Sequence, residues 1–180
     1  MEPVSEDQSS DQLRRRALAG EGYAFGELIG PVLDPAFRLA MTMLKDRAAA
    51  EDAVQEAAFK AWRKLDRFRP GSEMRPWFLA IVANECRSAR RSRWWEITHF
   101  NGSISPPAKV QRDWAERIDL DAALDRLPKH HLLALTLYYH LDLPIEEVGR
   151  VLGCSPGAAR VRLHRAIAAL RPGLVTEAGR

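Results

Sequence analysis

Cysteine is scarce in this 180-residue chain: Cys86 and Cys154 stand alone with no CxxC spacing, which excludes a disulfide framework and reads as two reduced packing residues. The five histidines, His99, His130, His131, His140 and His164, show no i, i+4 pairing with an acid of the kind a zinc site needs, so neither a metal nor another cofactor is expected. Carboxylates are dispersed along helical patterns rather than clustered beside a nucleophile, which argues against an enzyme. No stretch approaches the roughly 20 apolar residues of a membrane span. The acidic, Ser-rich start, Met1 to Asp11, lacks the basic beginning and apolar core of a secretory signal. A soluble, cytoplasmic protein without membrane insertion is the expectation. Alternating strand patterns of useful length are also missing, leaving an all-α protein. No heptad repeat offers a dimer helix, so the free chain is expected to be a monomer.

The most informative absence is local. Residues 157 to 171 contain no acid, yet they carry Arg160, Arg162, His164, Arg165 and Arg171. Ser155 can cap a helix start and Pro156 suits a first helical position, so a helix is expected from about 156. In it Ala159, Leu163, Ala166, Ile167 and Leu170 form one apolar stripe, with Gly157, Val161, His164 and Ala168 opposite. Upstream, Pro144 to Leu152 supplies a short helix with Gly149 as a small residue where a neighbour can approach, and Gly153 permits a sharp turn. Two short helices joined this way, the second basic and outward-facing, have the helix-turn-helix layout. A helical hairpin in a bundle core would show the same stripe. A solvated face, however, mixes charge signs, whereas a phosphate-facing one does not. Net charge is only +3 and pI about 9.1, so placement of the bases matters more than their number.

Along the rest of the chain the helical period continues. A helix is expected near Gln12 to Ala19, and another over Ala24 to Leu44, broken or kinked by Gly30-Pro31 and Asp34-Pro35. Asp46 caps a third, with Ala50, Val54, Ala57, Ala58, Ala61 and Leu65 as its stripe and Trp62 beside it. After the loop Arg67 to Ser72, a fourth helix from about Met74 to Arg91 buries Trp77, Phe78, Ile81 and Val82, with Asn84, Arg87 and Arg91 on its far side. From Trp94 to Arg117 the pattern fails and a flexible linker is expected, in which Trp94, Trp95 and Trp114 either dock on a partner or pack against the first domain. Ile118 to Leu127 and Lys129 to Leu141 then complete a C-terminal domain. The boundaries are therefore 1–10 as a disordered tail, 11–93, a linker over 94–117, 118–173, and a tail over 174–180.

The run Ala50-Glu51-Asp52-Ala53-Val54-Gln55-Glu56-Ala57-Ala58-Phe59, then Ala61-Trp62, the run Arg75-Pro76-Trp77-Phe78-Leu79-Ala80-Ile81-Val82-Ala83-Asn84, and the helix from Ser155 to Arg171 occur in this order. Together they resemble the extracytoplasmic-function class of the bacterial sigma-70 family, over about residues 22 to 93 and 118 to 173. The resemblance implies a region 2-like domain that reads and opens the promoter −10 element and a region 4-like domain that reads the −35 element. Both would ride on core RNA polymerase, through the β′ clamp helices and the β flap. By position it implies polymerase contacts for Asp52, Gln55 and Glu56, −10 contacts for Asn84, Arg87 and Arg91, and −35 contacts for Arg160, Val161, Arg162, His164 and Arg165. Arg162 flanks the packed stripe and so suits a phosphate, while the other four approach base edges. Phe68, in the loop over 67 to 75, either stacks on a flipped −10 base or ends a helix as a core residue. Promoter DNA and an anti-sigma protein are the further partners implied. Gly30-Pro31, Asp34-Pro35, Ser88, Gly149 and Ala158 depart from the family's usual pattern.

A relaxed linker of some 24 residues spans roughly 25–30 Å, short of the roughly 58 Å between promoter elements about 17 base pairs apart, the separation that the resemblance implies. Specific binding should therefore need the polymerase as a scaffold. The alternative is an autonomous helix-turn-helix regulator, which would need dimerisation and a palindromic site.

Overall fold

The structure is a computed structural model, and it describes residues 6–99, 123–124 and 126–174, with side chains described over 10–91, 123–124 and 126–170. Every regular element among them is helical, and the chain separates into two compact units on either side of Arg91 and Ser92.

The first unit holds α1, Glu6–Leu18, α2, Gly22–Leu44, and α3, Arg47–Arg63, and most of α4, Met74–His99, which runs past its end at Arg91. The first helix begins at Glu6 rather than near Gln12, so part of the expected tail is helical. The expected break in α2 does not occur, although Pro31 and Pro35 both lie inside the helix. Each proline removes one backbone donor, at about 3 kcal/mol or more. Against that, Leu28, Ile29, Val32, Ala36, Leu39 and Ala40 are all buried along the same helix, and each large apolar side chain contributes about 1.5–3 kcal/mol. Burial on both sides of the prolines outweighs the lost bonds. The helix ends where Lys45 turns left-handed at φ 56° and donates its N–H to the Met41 carbonyl at 2.8 Å.

Asp46 caps α3 by accepting from the Ala49 N–H at 3.0 Å, as its side chain predicts. The buried stripe of α3 is Ala50, Ala53, Ala57 and Ala61; small side chains let α2 lie close, and Phe25 meets Trp62 edge to face at 5.1 Å between centroids. Lys60 of α3 donates to Glu85 of α4 at 2.5 Å, and this bond holds the Lys60 ammonium above the ordinary lysine range. Phe78, Leu79, Val82, Ala83 and Cys86 give α4 a fully enclosed face. The helix continues eight residues beyond Arg91, to His99, where a linker is expected. Neither glycine nor proline occurs between Trp77 and Asn101, so nothing breaks the backbone even where the apolar period fades. Residues 100–117 of the expected linker, with Trp114, lie outside the described residues.

Burial pushes the Cys86 thiol up to about 11. Since only the thiolate reacts, iodoacetamide at pH 8 should label the half-buried Cys154 of the native protein and leave Cys86 untouched. Mass spectrometry of tryptic peptides checks this; equal labelling of both cysteines before denaturation would contradict the packing.

In the second unit α5 is Lys129–Leu135, a π turn spans Thr136–His140, α6 is Ile145–Leu152 and α7 is Pro156–Leu174. The helix expected to run to Leu141 widens after Leu135: the Leu141 N–H reaches back to the Thr136 carbonyl at 3.0 Å, and the Thr136 hydroxyl donates to the Leu132 carbonyl at 2.9 Å. The core joins Leu127, Leu135, Leu163 and Ala166, with Leu124, Ile145, Ile167 and Leu170 packed against it. Both α5 and α6 pack on α7, which leaves the opposite side of α7 outward.

Candidate nucleic-acid interface

The start of α7 is built as its sequence requires. Gly153 takes the left-handed conformation at φ 67°, ending α6. The Ser155 hydroxyl then accepts from the Ala158 N–H at 3.2 Å. Gly149 is where the turn comes closest: a Cβ there would lie 2.9 Å from the Cys154 carbonyl oxygen and 3.3 Å from the Pro156 nitrogen. The small residue therefore admits the turn itself, which fixes how α7 leaves α6.

With that geometry set, Ala159, Leu163 and Ala166 are buried, while Arg160, Val161, His164 and Arg165 are exposed and Arg162 is half-buried. Val161 is 52% exposed, so an aliphatic side chain stands among the cations where a thymine methyl or sugar can meet it. Four of the five residues expected at a −35 element are thus exposed on α7, and Arg162 sits at the edge of the packed stripe. No carboxylate accompanies them between Gly157 and Arg171.

On α4 Asn84 is exposed and Arg87 half-buried, one turn apart, and the Arg87 guanidinium donates to the Asn84 side-chain carbonyl. That bond engages the amide oxygen, so the NH₂ is the donor side of the exposed Asn84. Arg90 and Arg91 extend the exposed basic side.

Phe68 requires a correction. It is 4% exposed, its ring lies 5.0 Å from that of Trp77, and its carbonyl accepts from the Arg14 side chain at 2.9 Å. A ring so enclosed has no face to offer a base, so of the two roles open to it the core role holds. The loop that contains it is tied to α1 a second time, by the Gly71 N–H donating to Asp11 at 3.2 Å. Trp77, which packs on Phe68, is half-buried.

On α3 Asp52, Gln55 and Glu56 are exposed on one side, away from the alanine stripe. Glu56 pairs with Lys60 at 3.3 Å, an exposed i, i+4 pair. The sequence reading missed Phe59 on the same side. It is 55% exposed with the Arg63 guanidinium 5.7 Å above its ring. Its signal was present, since position 59 falls outside the buried alanines and two helical turns after Asp52. Among the described residues no group of His, Cys, Asp and Glu side chains is arranged to hold a metal, and no helix is long and apolar enough to cross a membrane.

Comparison with known proteins gives two family matches on this chain. Residues 28–96 match the model described as Sigma-70 region 2, and residues 117–170 the model described as Sigma-70, region 4. The ECF RNA polymerase sigma factor EcfG of Rhodopseudomonas palustris (strain TIE-1) is 32% identical over 134 residues, 73% of each chain. The RNA polymerase sigma factor CarQ of Myxococcus xanthus is 34% identical over 133 residues, 72% of this chain and 76% of that one. Among solved structures, the sigma factor RpoE in complex with the anti-sigma factor NepR from Bartonella quintana superposes with a TM-score of 0.71 at 26% identity, covering 85% of this chain and 98% of that one. CnrH in complex with the cytosolic domain of CnrY shares the fold at 24% identity, with a TM-score of 0.70 over 94% of this chain and 99% of that one.

Proposed function

This chain belongs to the sigma-70 family of RNA polymerase sigma factors, in its extracytoplasmic-function class, and from that premise we propose how its surfaces divide the work. The protein binds core polymerase and directs promoter-specific initiation, without catalytic chemistry of its own. The observation that carries the DNA-reading half is the acid-free outward side of α7, with Arg160, Val161, His164 and Arg165 exposed beside a capped, tightly turned helix start. Asn84, Arg87 and Arg91 on α4 meet the −10 element, where the NH₂ of Asn84 donates to a base edge and the arginines meet phosphates. Asp52, Gln55 and Glu56 on α3 meet the β′ clamp helices, and the exposed Phe59 adds apolar area to that contact. The region 4-like unit rests on the β flap. An anti-sigma protein holds the chain inactive, as the NepR-bound relative suggests.

The test is direct. Purified chain mixed with core polymerase lacking its own sigma subunit should co-elute with it and yield discrete run-off transcripts from a genomic fragment library. A chain that does not associate with core overturns the proposal.

Within this reading Arg162, half-buried at the edge of the packed stripe, contacts a phosphate. Arg162→Ala should weaken promoter binding by the holoenzyme nearly uniformly across sequences and reduce the salt slope by about 1. Filter binding at several salt concentrations measures both; a changed base preference would show that Arg162 reads sequence instead.

A further inference from the structure

In the second unit α7 shares a concave surface with the beginning of α5. His130 and His131 face Ala158, Val161, Arg162 and Arg165 across an open notch of about 410 Å³. At about 100° per residue, Arg162 and Arg165 fall on the flank of α7 turned toward α5, whereas Arg160 and His164 fall on its other side. Neither helix supplies a carboxylate here: α5 reads KHHLLAL, and α7 has no acid from Gly157 to Arg171. The notch gathers cationic and ring donors from two helices with no acid of either to neutralise them.

The two histidines differ in what they offer. Their rings meet edge to face at 4.3 Å, with His130 exposed and His131 half-buried. Nδ1 of His131 is enclosed and has no hydrogen-bond partner. With Nδ1 enclosed, Nε2 is the ring nitrogen of His131 left to meet a ligand in the notch. Burial first, then His130, Arg162 and Arg165, push His131 below the ordinary histidine range, which favours its neutral ring in a notch that Arg162 and Arg165 also line. Two guanidinium groups and an imidazole lining one acid-free notch suit an anion with several oxygens close together.

We propose that this notch is a phosphodiester site, holding one backbone phosphate of the DNA beside the bases that α7 reads, between Arg162, Arg165 and His131, with His130 packed on the His131 ring. It rests on the −35 reading above and sharpens it. Arg165 becomes a backbone contact rather than a base reader, which narrows direct readout to Arg160, Val161 and His164.

The experiment is a methylphosphonate scan of the backbone flanking the −35 element, read as holoenzyme affinity for wild type, Arg162→Ala/Arg165→Ala, His131→Phe and His131→Gln. One neutralised phosphate should weaken wild type about tenfold. The same substitution should cost little with the arginine pair or His131→Phe, since the contact is already lost. His131→Gln should keep the wild-type penalty, because the Gln amide places a donor near the His Nε2. Additive losses at every phosphate overturn the site, as does His131→Phe behaving like wild type. The surface arginine pair keeps the test decisive if His131→Phe unfolds. Binding that depends on the −35 sequence but shows no such coupling defeats the notch alone. A wild-type holoenzyme indifferent to the −35 sequence defeats the parent reading and the notch with it. Coupling to an acidic partner protein instead of to any DNA phosphate would reassign the notch to that partner and overturn the proposal.

Discussion

Core polymerase should lose at least about 100-fold in affinity for the chain when Asp52 and Glu56 are both changed to Arg, a loss equivalent to about 2.8 kcal/mol. The size follows from placing two cations where two anions meet a partner, since like-charge juxtaposition across an interface costs several kcal/mol. Both side chains are exposed on α3, away from its alanine stripe, so the fold should change by no more than about 0.5 kcal/mol. Glu56 does pair with Lys60, but Lys60 keeps its 2.5 Å bond to Glu85 when Glu56 is gone. Helix content and melting should therefore stay at wild-type values while co-elution with core and run-off transcription are lost. Fluorescence-detected titration of labelled chain with core polymerase gives the affinity. Unchanged affinity with an unchanged melt would remove α3 from the polymerase contact and leave its acids as a solvated face. Phe59→Ala on the same side should lose less, because it removes apolar area without adding repulsion.

The elements most legible in the sequence were those where side-chain chemistry fixes the backbone locally. Asp46 and Ser155 cap the helices they precede, Gly153 turns left-handed, and the stripe of Ala159, Leu163 and Ala166 is buried with Val161 and His164 opposite. Each of these depends on neighbours within four residues. What the sequence concealed depends on packing from farther away. Pro31 and Pro35 read as breaks, yet α2 runs through them because its buried side chains lie on both sides of the pair. Phe68 had two readings that no local pattern separates; Trp77 and Arg14 decide it, from 9 and 54 positions away along the chain. The end of α4 was misjudged for another reason, since the apolar period fades before any residue appears that would stop the helix. His130 and His131 carried no metal spacing and so looked idle. Their relation to Arg162 and Arg165 exists only once α5 lies against α7.

Gly149 provides the sharpest structural test, because the backbone and not a side chain opposes any substitution there. Two terms of opposite sign act on Gly149→Ala. A helical alanine is favoured over glycine by about 1 kcal/mol, while its Cβ would stand 2.9 Å from the Cys154 carbonyl oxygen, closer than a Cβ packs on backbone, so the turn itself must shift. The backbone shift outweighs the propensity gain, so Gly149→Ala should destabilise the second unit, by less than valine does. Gly149→Val adds two methyl groups against a turn that Gly153 and the Ser155 cap hold in place. It also brings a β-branched side chain into a short helix. Overpacking of this kind costs about 1–3 kcal/mol and occasionally more, and here the upper end is expected, since backbone cannot rotate away as a side chain can. The second unit should melt earlier by several degrees or more, and −35-dependent transcription should fall to background because α7 no longer leaves α6 at the angle that presents Arg160 and His164. Thermal unfolding followed by far-ultraviolet circular dichroism, with run-off transcription on promoters with and without the −35 element, measures both. A valine variant that melts and initiates like wild type would mean that the turn is not held by its contact with Gly149.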